Sequence, residues 1–265
     1  MKRLADHICV ITGAGRGIGR AIALRYAAAG AALVVSDVDA NNAAGVVAEI
    51  RQAGGRASAI GADVRDPAQS RKLIEQTVAE FGRVDVFVNN AGVVRITALL
   101  ETTPEDWDFV TGVNERGFFF ALQAAARQMV NQAPLAAGRP RGKIINTASI
   151  AGRAGRPTFA PYAASKAAAI SITQSAAQAL APEVTVNAIC PGVVDTAMWK
   201  QIDQEWSALD NQPIGSAWAR RIRGIPMGRP QVPEDLTGMA LFLASADSDY
   251  VTGQAYNVDG CLVMS

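Results

Sequence analysis

A doubly wound α/β sheet is the fold this sequence predicts, and three observations predict it. Short apolar runs alternate with longer helical patterns from one end of the chain to the other. Most of these runs are continuously apolar, as expected where helices cover both faces of a parallel sheet. A glycine-rich turn joins the first run to the first helical pattern, and such βαβ repetition builds a parallel sheet with crossover helices.

The elements follow in order. Strands are expected at 8–12, 32–36, 57–61, 84–88, 143–147, 184–188 and 255–258, each a short β-rich run. Helices are expected at 17–29, 41–53, 67–80, 105–131, 161–181 and 233–244. Pro67, Pro104 and Pro233 stand at helix starts behind Asp66, Thr103 and Val232, where a missing N–H costs nothing. Residues 131–141 read as a Pro- and Gly-containing surface loop. Residues 195–228 fit no βα unit, yet hold Trp199, Trp206 and Trp218, three of the four tryptophans. The expectation is one domain over 1–265 with a small helical substrate lid at about 193–228.

Composition narrows the function. With 25 basic and 24 acidic residues among 265, and no basic run, the chain lacks the stripe that nucleic-acid binding needs. No apolar run approaches the ~18 residues of a membrane span, so no membrane partner is expected. Met1-Lys2-Arg3 resembles a signal n-region, but the apolar stretch behind it ends at Ile11 and reads as a strand. Cys9, Cys190 and Cys261 are odd in number and far apart, which predicts neither a disulfide frame nor a metal site, and a cytoplasmic protein. The one histidine, His7, precedes a strand, whereas α/β sheets place chemistry at the carboxyl ends of strands. Histidine-based hydrolysis is thereby disfavoured.

Two stretches carry chemistry. Thr12-Gly13-Ala14-Gly15-Arg16-Gly17-Ile18-Gly19 lies between the first strand and the first helix, with Ile18 where a GxGxxG pattern has its last glycine. Its glycines would let a pyrophosphate approach the backbone at the positive end of a helix. Asp37 closes the second strand 18 residues beyond Gly19, where a carboxylate would accept from ribose hydroxyls and repel a 2′-phosphate. NAD is therefore the expected cofactor, although Arg16 could hold a 2′-phosphate. Asp63 and Val64, after the third strand, are placed to flank an adenine; a turn Asp is the competing reading.

Tyr162 and Lys166 stand one helical turn apart in Tyr162-Ala163-Ala164-Ser165-Lys166, and Lys166 is one of only five lysines. Lowering a phenol from ~10 to ~7 takes ~4 kcal/mol, which a cation at ~4 Å supplies at an effective dielectric of ~20. A partly buried Tyr beside a snorkelling Lys is the structural alternative. Ser149 closes the fifth strand, Asn89-Asn90-Ala91-Gly92 closes the fourth, and Pro191-Gly192 and Thr196 follow the sixth. All of these sit at the sheet edge that binds ligands, while Asn114 sits within the long helix pattern.

Over 5–262 the sequence resembles the short-chain dehydrogenase/reductase family, through TGAGRGIG (12–19), NNAG (89–92), Asn114, Ser149, YAASK (162–166) and PG (191–192). The resemblance implies a Rossmann fold with strand order 3-2-1-4-5-6-7 and an Asn114-Ser149-Tyr162-Lys166 tetrad. By that resemblance Tyr162 is the acid/base, Lys166 lowers its pKa and binds the nicotinamide ribose, and Ser149 holds the substrate oxygen. Asn114 supports a proton-carrying water, Asn90 with Ala91 and Gly92 lines the ribose site, and Thr196 meets the carboxamide. Pro191, Gly192 and Val194 complete the implied cofactor wall. Residues 239–260 and Val193-Val194-Asp195 are similar to bacterial NAD-dependent polyol dehydrogenases of the sorbitol and galactitol type. That implies oxidation of a sugar alcohol to its ketose in a homotetramer formed through the 105–131 and 161–181 helices.

Other readings remain open. Met198, Trp199, Trp206, Trp218 and Met227 form an apolar lid that suits a small-carbonyl enzyme, such as an acetoin/butanediol dehydrogenase. Arg139, Arg141, Arg153 and Arg156 leave room for a 3-oxoacyl-(acyl-carrier-protein) reductase with a basic dock. A non-catalytic dinucleotide sensor has no need of Ser149, Tyr162 and Lys166 together.

Overall fold

The computed structural model describes residues 2–264, so Met1 and Ser265, the outer residues of the expected domain and of the amino-terminal reading, lie outside the described residues. Seven strands form one parallel sheet: β1 (Ile8–Thr12), β2 (Ala32–Asp37), β3 (Arg56–Gly61), β4 (Val86–Asn89), β5 (Gly142–Thr147), β6 (Val184–Pro191) and β7 (Ala255–Val258). Their order is β3-β2-β1-β4-β5-β6-β7, so the chain starts in the middle, winds one way to β3 and then the other. Val10 of β1 accordingly pairs with Val34 of β2 on one side and Phe87 of β4 on the other.

Helices cover both faces, which is why the strands read as unbroken apolar runs. Cys9 and Ile11 turn toward α1 (Gly17–Ala28) and α2 (Ala40–Gln52), packing with Ile22, Tyr26, Val46 and Ile50. Val10, Val34 and Phe87 turn the other way, toward Leu73, Leu122 and Met129 of α3 (Pro67–Phe81) and α5 (Phe118–Val130). The long helix α6 (Ala160–Leu180) lies on this second face, and α9 (Thr237–Ala244) lies on the first. Asp66 and Thr103 cap the helices that Pro67 and Pro104 open, with Asp66 Oδ1 accepting from Ala68 N at 2.8 Å.

Three expected elements change. The strand expected from 84 begins at Val86, because Val84 N donates to Gln132 Oε1 at 3.2 Å and the Asp85 carboxylate accepts from Ile8 N at 2.8 Å. The helix expected over 105–131 divides into α4 (Pro104–Thr111), a π-helical turn at Gly112–Gly117, and α5. Gly117 sits so close to the third βα loop that a Cβ there would lie 2.7 Å from Val64 O. The helix expected from 233 starts as a 3-10 turn, Pro233–Leu236, before α9. Between β6 and α9 lie α7 (Ala197–Leu209) and α8 (Ser216–Arg223), the helices of the segment expected to be a lid. Among the described residues no helix is long and apolar enough to cross a membrane, and no cluster of side chains is placed to hold a metal ion.

Candidate active site

The carboxyl ends of the central strands open onto a cavity of about 660 Å³, within the usual range for small-molecule sites. His7 lies at the other edge of the sheet, buried, with Nδ1 2.9 Å from Ala5 O. At the β1 end the wall is backbone. Gly13 has a φ of +60°, and a Cβ on it would meet Ala91 Cα at 2.8 Å. A Cβ on Gly19 would lie 2.5 Å from Gly13 O. Gly19 is therefore a packing glycine that lets α1 approach the turn, and it does not line the cavity as expected; Gly13, Arg16, Gly17 and Ile18 do. The amino terminus of α1 has no side-chain cap and no acidic residue in its first turn. Its orphan N–H groups are thus left for an anion, which is what a dinucleotide's pyrophosphate needs.

Asp37, at the end of β2, lines the same cavity. Its Oδ2 accepts from Gly15 N at 2.9 Å and its Oδ1 from Asp39 N at 3.1 Å. Each oxygen keeps a lone pair for a hydroxyl donor, so the residues present fit a dinucleotide's adenosine ribose. Asp63 and Val64 line the cavity too, but the Asp63 carboxylate grips Arg65 at 2.6 Å, and that guanidinium lowers its pKa. The Asp63 side chain thus behaves as the turn Asp of the competing reading.

Asn90 lines the cavity beside Ala91 and Gly92, yet its side chain faces the glycine turn. Nδ2 donates to Thr12 O and Gly13 O, both at 3.0 Å, and Oδ1 accepts from Thr147 Oγ1 at 3.3 Å. Thr12 Oγ1 in turn accepts from Asn90 N at 3.0 Å and Ala91 N at 3.1 Å. Asn90, Thr12 and Thr147 therefore lock the phosphate turn to the ends of β4 and β5. Sequence reasoning gave Thr12 only as the first residue of the glycine turn and missed Thr147 as a member of the site; the available signal was a hydroxyl residue closing an apolar strand.

Ser149, Tyr162 and Lys166 converge on the opposite wall. Ser149 follows β5 and caps a 3-10 turn, its Oγ accepting from Ala151 N at 3.1 Å. Tyr162 and Lys166 come from the first turns of α6, and the Tyr162 hydroxyl is hydrogen-bonded to Ser149. Lys166 is buried, donates to Thr147 O at 2.8 Å, and lies 5.7 Å from the Tyr162 ring centroid. Burial pushes the Tyr162 phenol up to about 12, against the lowering by Ser149, and brings the Lys166 ammonium down to about 8. Burial thus works against the lowering expected of Lys166.

Asn114 stands behind this wall, in the π turn, fully buried. Its Oδ1 accepts from Val93 N at 2.9 Å, and its Nδ2 donates to Val93 O at 2.8 Å and Ser165 Oγ at 3.2 Å. A Cβ on Gly92 would come 3.4 Å from Asn114 Oδ1 and 3.6 Å from Lys166 Nζ, so Gly92 keeps the space between them open. Asn114 holds the loop after β4 and does not itself line the cavity.

The far wall is Pro191, Gly192, Val194 and Thr196, with Met198 and Trp199 from α7. Gly192 N donates to Gln231 Oε1 at 2.9 Å, and Thr196 Oγ1 to Val194 O at 3.3 Å.

Comparison with known proteins gives the family. The family model described as Enoyl-(Acyl carrier protein) reductase matches residues 13–262. L-2,3-butanediol dehydrogenase of Corynebacterium glutamicum is 42% identical over 258 residues, 96% of this chain and 98% of that protein. The chain belongs to the short-chain dehydrogenase/reductase family. Sorbitol dehydrogenase of Cereibacter sphaeroides, similar over 97% of this chain and 98% of its own length, is 41% identical. A solved NAD+-bound xylitol dehydrogenase superposes with a TM-score of 0.91 at 31% identity, covering 97% of this chain and 99% of that one.

Within this short-chain dehydrogenase/reductase the apolar lid residues divide. Trp199 lines the cavity and packs at a tilt against Trp218, ring centroids 5.6 Å apart, while Trp206 meets Phe159 at 5.4 Å. Met227 is 68% exposed and turns outward, away from the expected lid face. The basic residues expected as a dock also scatter. Arg139 pairs with Asp249 at 2.8 Å, and Arg141 donates to Val130 O at 3.0 Å, both beside the amino end of β5. Arg153 donates to Ala255 O at 2.5 Å, leaving Arg156 near the site.

Proposed function

We propose that this enzyme oxidises a secondary alcohol to a ketone with NAD as hydride acceptor, reversibly. The observation that carries this reading is the Ser149–Tyr162–Lys166 wall facing the same cavity as the uncapped α1 terminus and Asp37. A nicotinamide held beside this wall would supply the acceptor for hydride from the carbinol carbon. The chain's own groups do the rest. Ser149 Oγ and the Tyr162 oxygen hold the substrate oxygen, and Tyr162, in its phenolate form, receives the alcohol proton. Lys166, with its lowered pKa, passes a proton on and stabilises the phenolate while it exists. Asn114 positions the β4 loop that leaves Lys166 room to do so. Asp37 favours NAD, since a 2′-phosphate beside its carboxylate would meet like charge.

A polyol is the first substrate reading, supported by the likeness to sorbitol dehydrogenase. A small vicinal diol or hydroxyketone is the second, favoured by the aromatic wall of Phe159, Trp199 and Trp206 and the likeness to L-2,3-butanediol dehydrogenase. The test is formation of reduced nicotinamide from NAD+ or NADP+ with sorbitol, galactitol, butane-2,3-diol and a 3-hydroxyacyl thioester. Turnover of the diol or polyols with NAD+ is expected. Turnover of the thioester alone, or with NADP+ alone, would replace this reading. We also assign a homotetramer built on α5 and α6, for which Phe119, 40% exposed on α5, supplies an apolar contact; light scattering at the monomer mass would refute it. The three free thiols, two of them buried, fit a reducing cytoplasm.

A further inference from the structure

Beyond Ser149 and Tyr162 the cavity continues into a chamber of about 60 Å³ between the loop before α6 and helices α7 and α8. Phe159, Trp199 and Trp206 give it apolar walls, and two arginines, Arg156 and Arg221, line it together. Neither guanidinium has a hydrogen-bond or ion-pair partner among the described residues. The carboxylates of this segment are committed elsewhere. Asp203 accepts from Gly215 N at 2.6 Å and Trp218 N at 2.8 Å, Glu205 from Ile96 N at 3.0 Å and Gln201 Nε2 at 2.8 Å, and Asp210 holds Arg220 at 2.6 Å. Asp195 stands on the wall of the larger cavity and outside this chamber. Burial, and then the charge of Arg156, lower the pKa of Arg221. Two like charges in a partly desolvated cleft destabilise the enzyme unless an anion joins them.

We propose that Arg156 and Arg221 form an oxyanion-binding subsite that selects a substrate bearing a carboxylate or phosphate a few bonds from the alcohol carbon. Guanidinium groups suit this task because their planar donor forks match both oxyanions. The chamber holds about four or five water-sized positions, room for one such head group and little more. The inference rests on the oxidoreductase reading above, and it narrows the substrate from neutral alcohols to small acidic ones.

The experiment compares kcat/KM within two pairs, butane-2,3-diol against 3-hydroxybutyrate and sorbitol against sorbitol 6-phosphate. In at least one pair the anionic member is expected to be favoured tenfold or more, and which pair responds tells carboxylate from phosphate. Arg221→Met and Arg156→Met are each expected to cut that preference about tenfold, with Arg221→Lys restoring part of it. Equal or better turnover of the neutral member in both pairs overturns the subsite, as does a preference unchanged in both Met variants. Absence of any alcohol oxidation would instead refute the oxidoreductase reading. The subsite is then judged by calorimetric titration of the whole protein with 3-hydroxybutyrate and with inorganic phosphate. Binding of either that is lost in Arg221→Met sustains it, and binding equal in both proteins, or absent from both, overturns it.

Discussion

The β1–β2 end of the cavity is walled by a backbone turn with one carboxylate, Asp37, whereas the α7–α8 end is walled by side chains. At the first end, glycines let the turn close on Ala91 and on the α1 terminus, and Asn90 with Thr12 and Thr147 ties the turn to two strands. At the second, Trp199, Trp206 and Arg221 project from helices outside the sheet, and Asp203 holds one of these helices to the other. The difference teaches where specificity resides. A backbone cradle recognises what all dinucleotides share, and a side-chain wall is free to vary with the substrate.

The boundary between the two ends is Tyr162, and removing its hydroxyl gives the largest expected effect. Tyr162→Phe is expected to lower kcat by about 10²–10⁴-fold while NADH binding, followed by fluorescence, is retained. Unchanged turnover would remove Tyr162 from proton transfer. Next, Asp37→Ala tests the cradle alone. Losing a charged acceptor worth ~1.5–3 kcal/mol is expected to raise KM for NAD+ about tenfold or more and to narrow its advantage over NADP+. A substrate KM that moves equally would show that the two ends are not separate.

The pH profile sharpens the role of the Tyr162–Lys166 pair. Oxidation needs the pair to have lost a proton, and Lys166 sits at about 8, so oxidation is expected to rise with pH through about 8. Ketone reduction, which needs that proton, falls over the same interval. In Lys166→Met the limb is expected to move upward, toward the raised phenol; a limb that stays near 8 would assign it to another group. The smallest effect concerns the lid end. Asp203→Ala leaves Gly215 and Trp218 N–H groups without their acceptor, a loss of about 1–3 kcal/mol in stability. Thermal unfolding and substrate KM should both register it, with NADH affinity unchanged.

Periodicity and turn chemistry made much of the fold legible, because strand apolarity and the proline-capped helix starts are local. They failed where a tertiary contact overrides a local preference. The break in the 105–131 helix is one case, since the π turn that carries Asn114 answers to Val93 and to the approach of Val64. The Tyr162–Lys166 spacing was legible; the 5.7 Å separation and the desolvation that oppose the expected pKa shift were not. Arg156 and Arg221 were invisible as a pair, since their separation in sequence carries no information about a shared chamber.

By itself, then, the sequence determined the strands of the parallel sheet, the glycine turn and the one-turn spacing of Tyr162 and Lys166, all of which depend on residues within a few positions of one another. Only the tertiary structure decided that Gly19 packs while Gly13 lines, that Asp63 turns to Arg65, and that two arginines meet beside Tyr162. The reason is physical. Helix and strand formation follow local dihedral and burial preferences, whereas the charge balance and volume of a cavity depend on which distant side chains the packing leaves without partners.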